Sequence, residues 1–261
     1  MSNKKFIIGL FTLSVLSGVG FTAKADDTID PNVTISGNGN VNLHAPADAD
    51  KVITDTDNQV KYQIDDGVAI ENVTNGDNLI APVTVDSQIT SDNGNTTEGV
   101  TTLTADFSQA EVIEGNKDLG INFGTFVWGN LFGTKAFAGT QNQTVSDKTY
   151  SISFKLNIAW TVSNGYAGIT KVTGGYGTAV DKVYVSGSSV TTATNGQVKG
   201  SSGYTQQVDN KNLGTNSSWS VTRNYKPVKV PASGAMAGAT YYATLKRGNS
   251  TWKFQTTNRA Y

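Results

Sequence analysis

Residues 150–162 read YSISFKLNIAWTV, and this stretch decides the fold. Tyr150, Ile152, Phe154, Leu156, Ile158, Trp160 and Val162 take every second position; Ser151, Ser153, Lys155, Asn157, Ala159 and Thr161 fill the gaps. Successive side chains of a β-strand point to opposite faces, so this period of two predicts one long strand with a dry face and a wet one. Asn164-Gly165 follows directly, and that dipeptide favours the primed hairpin turn whose two central residues have positive φ.

Downstream, strand-like runs recur at 169–173, 182–185, 190–194, 219–225, 241–246 and 252–256, with Asn195-Gly196 and Gly248-Asn249 as turn signals. Short strands separated by turn residues predict an antiparallel β-sandwich or barrel for the carboxy-terminal half, which makes the chain mainly β. Abundant Gly, Ser, Thr and Asn agree with that reading. Trp160, Trp219 and Trp252 all sit in strand-like runs and are assigned to the core.

Upstream the signal weakens. Residues 59–118 contain alternating Val60, Tyr62 and Ile64, then Asp66-Gly67 as a hairpin turn, then Val83/Val85 and Leu103/Ala105/Phe107. They are expected to form a small acidic β unit. Residues 26–58 are polar, acidic and without aromatics, and are expected to form an extended or disordered arm. Residues 119–139 (LGINFGTFVWGNLFGTKAFAG) are apolar and rich in Gly and Phe, a junction between the acidic unit and a basic, aromatic-rich β domain spanning 140–261.

At the amino terminus, Lys4 and Lys5 precede the uncharged stretch Phe6–Phe21, and Ala23-Lys24-Ala25 gives the small-x-small pattern of a signal peptidase site. Residues 1–25 are therefore expected to be a signal peptide cleaved after Ala25, which places the mature chain outside the cell. The sequence ends at Asn258-Arg259-Ala260-Tyr261 without an LPxTG-like sortase motif. Cysteine is absent, which suits the exterior of a Gram-positive bacterium and excludes thiol catalysis and Cys-based metal centres.

The near-neutral total charge hides a division. Asp26–Asp118 holds eighteen acids against Lys51, Lys61 and Lys117, a net of −15; Leu119–Tyr261 holds three acids (Asp147, Asp181, Asp209) against fourteen Lys and Arg, a net of +11. All four tryptophans and every tyrosine except Tyr62 fall in the basic part. Such asymmetry argues for parts with different partners.

Tests for chemistry are mostly negative. The single histidine, His44, lies in the acidic arm, so neither a Ser-His-Asp arrangement in the β domain nor a three-histidine zinc site can be built. Asp147, Asp181 and Asp209 each stand beside a turn and do not suggest a glycosidase pair. The pairs Asp48/Asp50, Asp55/Asp57 and Asp65/Asp66 offer oxygen ligands, yet Val60 and Asp66 break the EF-hand pattern, so they are read as solvated acidic loops. No phosphate-cradling glycine loop is present. An enzyme is not expected, nor is any cofactor.

The signal, the acidic arm and the β domain, carried by residues 1–25 and 149–256, resemble the small secreted proteins of Gram-positive bacteria. Trp160-Thr161-Val162 and Trp219-Ser220-Val221 are similar to the paired motif of WxL cell-wall-binding domains. Both have Val where that family has Leu, and its tyrosine motif is missing, so no site is carried over. The expectation is a non-enzymatic protein whose basic half meets an anionic cell-wall polymer or host glycan through Lys226, Lys229, Lys246, Arg247, Trp252, Lys253 and Arg259. Nucleic acid is not the expected partner. Two other readings stand beside it: a membrane-active toxin or bacteriocin-like factor using segment 119–139, and a structural surface-layer or matrix component.

Overall fold

The computed structural model describes residues 33–36, 39–72, 78–113, 152–178, 183–232 and 234–261. The signal segment 1–25 and the Gly/Phe segment 119–139 lie outside them. The described residues are almost wholly β. In chain order the strands are β1 (Val33–Ile35), β2 (Val41–Leu43), β3 (Lys51–Thr56), β4 (Gln59–Asn72), β5 (Asn78–Asp92), β6 (Thr96–Asp106), β7 (Glu111–Ile113) and β8 (Ile152–Ser163). They continue as β9 (Tyr166–Thr178), β10 (Tyr184–Gln197), β11 (Tyr204–Asn212), β12 (Ser218–Thr222), β13 (Val228–Lys229), β14 (Met236–Arg247) and β15 (Ser250–Arg259). One 3₁₀ turn, Phe107–Gln109, follows β6, and the Asp106 carboxylate accepts from the Ser108 N–H at its start.

β8 matches the pattern that predicted it: Ile152, Phe154, Leu156, Ile158, Trp160 and Val162 are all buried. The turn into β9 is the primed hairpin, with φ of 51° at Asn164 and 71° at Gly165. Outside the separate β1–β2 hairpin, the strands join in the order β11-β10-β14-β15-β4-β5-β6-β8-β9-β12, every pair antiparallel. β3 adds to β4, β7 to β5 and β13 to β9. Val198, just past β10, bridges to Val228 of β13, and this closes the circuit of pairings.

Closure folds the sheet on itself, so that β10, β14 and β15 lie over β6, β8 and β9 as the two layers of a sandwich. The core between them is aromatic. Phe154 of β8 stacks on Phe254 of β15 with centroids 3.8 Å apart, and Phe107 meets both rings edge-on at 6.2 and 5.8 Å. A polar cross-tie sits in the same layer: the buried Asn258 amide of β15 donates to the carbonyls of Thr101 on β6 and Leu156 on β8, both at 2.8 Å.

Two stretches of the acidic half differ from expectation. Residues 59–106 supply β4, β5 and β6, which run through the middle of this sheet between β15 and β8. Their inward residues, among them Val60, Tyr62, Val83, Val85, Leu103 and Ala105, share one core with the basic half. The expected arm contains β1, β2 and β3, with Val33, Ile35 and Leu43 buried in that core. Three isolated apolar residues carry too little periodicity to announce a strand; contact with a distant surface buries them.

Asp66-Gly67 and Asn195-Gly196 are not turns. β4 runs through the first with a bulge between Ile64 and Val68, and β10 runs through the second. Glycine is there for close approach: a Cβ on Gly67 would lie 2.7 Å from Val83 Cβ, and one on Gly196 (φ 154°) 2.7 Å from Val228 Cβ.

Candidate functional site

The seven residues expected to bind a surface do not form one patch. Lys226 and Lys229 are exposed beside the start of β14, because β13 bridges to the end of β10 and Asn195 of β10 pairs with Met236. Lys246, Arg247 and Lys253 cluster at the opposite end, around the β14–β15 hairpin. Ten residues of strand separate the two groups, about 33 Å. Trp252 is only 5% exposed and belongs to the core, so it offers no stacking platform. Arg259 returns to the first end opposite Gly238, and burial holds its guanidinium below the usual arginine range, while nearby Tyr62 acts in the opposite sense. Neighbours in sequence were separated because two antiparallel strands carry them in opposite directions. Among the described residues no group of three His, Asp or Glu side chains is placed to hold a metal ion.

A different surface gathers functional groups: the wet face of β8 and the strands on either side. Register aligns its outward residues in rows that run across the strands. One row is Gln63, Thr84, Thr104, Lys155, Gly175 and Ser218; the next is Lys61, Asp86, Thr102, Asn157, Thr173 and Ser220. A third is Gln59, Gln88, Val100, Ala159, Lys171 and Thr222. Each row crosses six strands, so at about 4.8 Å per strand it is about 24 Å long. Hydroxyls and amides dominate. Asp86 is held inside the face, its carboxylate accepting from the Gln59 and Gln88 amides at 2.9 and 3.1 Å. Lys155 and Lys171 are exposed.

At the β9–β12 end this face deepens into a groove of about 720 Å³, within the range of ligand sites. Thr104, Ser153, Lys155, Asn157, Thr173 and Ser220 are among its lining residues. Local sequence shapes it. In Thr173-Gly174-Gly175-Tyr176-Gly177, Gly174 lies opposite Trp219, whose ring covers it on the core side. On the other side Gly175 lets the Ser217 carbonyl come within 2.2 Å of where a Cβ would be, and the Tyr176 N–H donates to that carbonyl at 3.0 Å. The Tyr176 hydroxyl then pins the 213–217 connection by donating to the Thr215 carbonyl at 2.8 Å. Inside the groove, Asn157 Nδ2 donates to Thr173 Oγ1 at 3.0 Å, while its Oδ1 is buried without a partner among the described residues.

Among the described residues, the lining contains no carboxylate, imidazole or thiol. Its chemistry is that of hydrogen-bond donors and acceptors around one ammonium group, on a floor kept flat by glycine. Sequence reading placed Ser153, Lys155 and Asn157 on the wet side of their strand. It had no means of aligning them with Thr104, Thr173 and Ser218, which come from three other strands. No protein-family model, curated protein or solved structure matches the chain.

Proposed function

We propose that this chain is a secreted, non-enzymatic binding protein that holds a cell-surface polysaccharide across the wet face of β4–β12, with the groove around Lys155 and Asn157 as its centre. The observation that carries this reading is the alignment of hydroxyl and amide side chains in rows long enough to meet several sugar residues. Sugar hydroxyls pair with such groups in both directions, donating and accepting. Lys155 and Lys171 add affinity for a carboxylate or phosphate on the polymer, which keeps anionic wall polymers and acidic host glycans within its range. The export reading of residues 1–25 brings the chain to where such polymers are. The described lining residues, hydroxyls and amides around one ammonium group, support retention of a polymer.

The test is retention of the purified protein on cell-wall polysaccharide, compared with Ser218→Trp, which fills the groove, and Lys155→Glu, which reverses its charge. Both positions are exposed, so the fold is expected to survive. Each variant is expected to weaken binding about tenfold or more, roughly 1.4 kcal/mol. For Lys155→Glu the loss grows when the polymer is anionic and shrinks at high salt. Retention that neither variant alters would refute the assignment.

A further inference from the structure

We infer that copies of this chain join head to tail, the β3 edge of one pairing with the β11 edge of the next. β11 ends the strand order on one side, and β3 pairs with β4 alone among the described residues. A strand with one unpaired side presents a row of backbone N–H and C=O groups that another strand can complete.

Three observations select these edges and this partner. The first is where apolar surface is left exposed. Among the described residues the large apolar side chains in the open are Val52 (50%), Ile53 (46%), Tyr184 (55%), Tyr204 (58%) and Val208 (42%). All but Tyr184 belong to β3 or β11. The second is local geometry. A bulge between Val52 and Thr54 leaves Ile53 without a register partner on β4, at the edge of the sheet. β11 is mostly exposed along its whole length, unlike the half-buried strands of the sandwich.

The third observation is charge. Around β3, Asp48, Asp50, Asp55 and Asp57 are exposed against Lys51, a net of −3. Around β11, Lys199, Lys211 and Lys226 are exposed, a net of +3, since Asp209 is occupied by Arg223 at 2.7 Å. Pairing β3 with β3, or β11 with β11, would set like charges side by side, which is destabilising. Pairing β3 with β11 sets opposite charges together. The two surfaces differ, so the contact is heterologous, and repetition yields an open chain of copies unless the rotation closes it into a ring. The division of charge along the sequence thus acquires a structural role: it marks the two ends of the assembling unit. This inference uses sheet edges and not the groove, so it stands or falls separately from the binding proposal.

Sedimentation velocity and negative-stain microscopy of the purified chain at rising concentration test it. Assembly into species larger than a dimer is expected, weakening as salt rises. Ile53→Lys meets the lysines around β11, and Val208→Asp meets the aspartates around β3; each alone is expected to raise the half-assembly concentration about tenfold or more. Mixing the two variants is expected to give a one-to-one dimer that grows no further, because the intact β11 edge of the first meets the intact β3 edge of the second and only altered edges are left outside. Circular dichroism and thermal unfolding verify that both remain folded. A wild-type chain that stays monomeric throughout would overturn the proposal. So would either variant assembling alone as well as wild type, the signature of a symmetric contact.

Discussion

Trp160 of β8 lies in register opposite Gly99 of β6, and its indole occupies the space beside Gly99 that any side chain would need: a Cβ there would be 2.2 Å from Cζ2. The same device recurs where Trp219 of β12 covers Gly174 of β9. In both pairs a glycine lets the largest side chain lie flat against the neighbouring strand, and the Trp160 N–H is satisfied by Thr101 Oγ1 at 3.1 Å. Gly99→Ala should therefore destabilise the protein by overpacking, by about 1–3 kcal/mol. Gly187→Ala is the control, since no atom of the described residues lies within 4 Å of its Cβ position. Urea unfolding of the two variants checks this, and equal midpoints would refute the packing account.

Asn258 is a second predicted weak point. Its amide serves carbonyls on two strands of the opposite layer, and the residue is only 3% exposed. Asn258→Ala removes both donors and opens a small void, so a loss of about 2–4 kcal/mol is expected. Denaturant unfolding monitored by tryptophan fluorescence reads it directly. A loss below about 1 kcal/mol would mean the cross-tie contributes little.

Arg223 and Asp209 should respond unequally. The Arg223 side chain is 8% exposed, with Nη1 at 2.7 Å from Asp209 and Nε donating to Thr192 Oγ1 at 2.6 Å. Asp209→Ala leaves a buried guanidinium without its counter-charge. Arg223→Met removes the charge and keeps much of the packing. Breaking a buried pair on one side costs more than replacing its buried member by an apolar group. Because Asp209 is half exposed, screening limits the first loss to about 1–2 kcal/mol. Thermal unfolding near neutral pH should rank Asp209→Ala as the less stable variant, and the reverse order would contradict the reasoning.

Tyrosine ionisation predicts an alkaline limit. Burial raises the pKa of Tyr62, with Asp48 adding to the effect, and burial alone raises that of Tyr261. A raised folded-state pKa means the fold holds the proton more tightly than the unfolded chain does. The associated stability is therefore fully present below about pH 10, the ordinary tyrosine value, and is lost as pH rises toward the folded value. Unfolding should set in above about pH 10, with tyrosinate absorbance and loss of β circular dichroism rising together. Tyr261→Phe should move that onset upward. It should cost little at neutral pH, since the Tyr261 hydroxyl is buried without a partner among the described residues. Tyrosinate forming smoothly while the β signal persists would disprove the coupling.

How far the sequence could be read follows from how local each signal is. The period of two in β8 and the Asn164-Gly165 turn depend on neighbours a few residues apart, and both are found as expected. Gly67 and Gly196 were misread because a glycine demanded by a turn and one demanded by a neighbouring strand look alike in one dimension. The weak patterning of residues 59–118 suggests a small acidic unit, yet the strands within 59–106 draw their burial from both halves of the sandwich. The basic cluster after Lys226 was compact in sequence and was dispersed by the reversal between β14 and β15.

The sequence by itself determined the mainly β class, the long central strand with its dry and wet faces, the placement of Trp160, Trp219 and Trp252 in the core, and the division of charge. Each follows from residue type and short-range spacing. Only the tertiary structure decided that acidic and basic segments share one sheet and that Lys155 and Asn157 stand in rows with residues from five other strands. Among the described residues it also left β3 and β11 each paired on one side only. These are matters of register and closure, set by pairings between residues as far apart in sequence as Phe254 and Ile70, which lie opposite each other on β15 and β4. No local pattern specifies such partners, because the free energy that selects them comes from burying a common core.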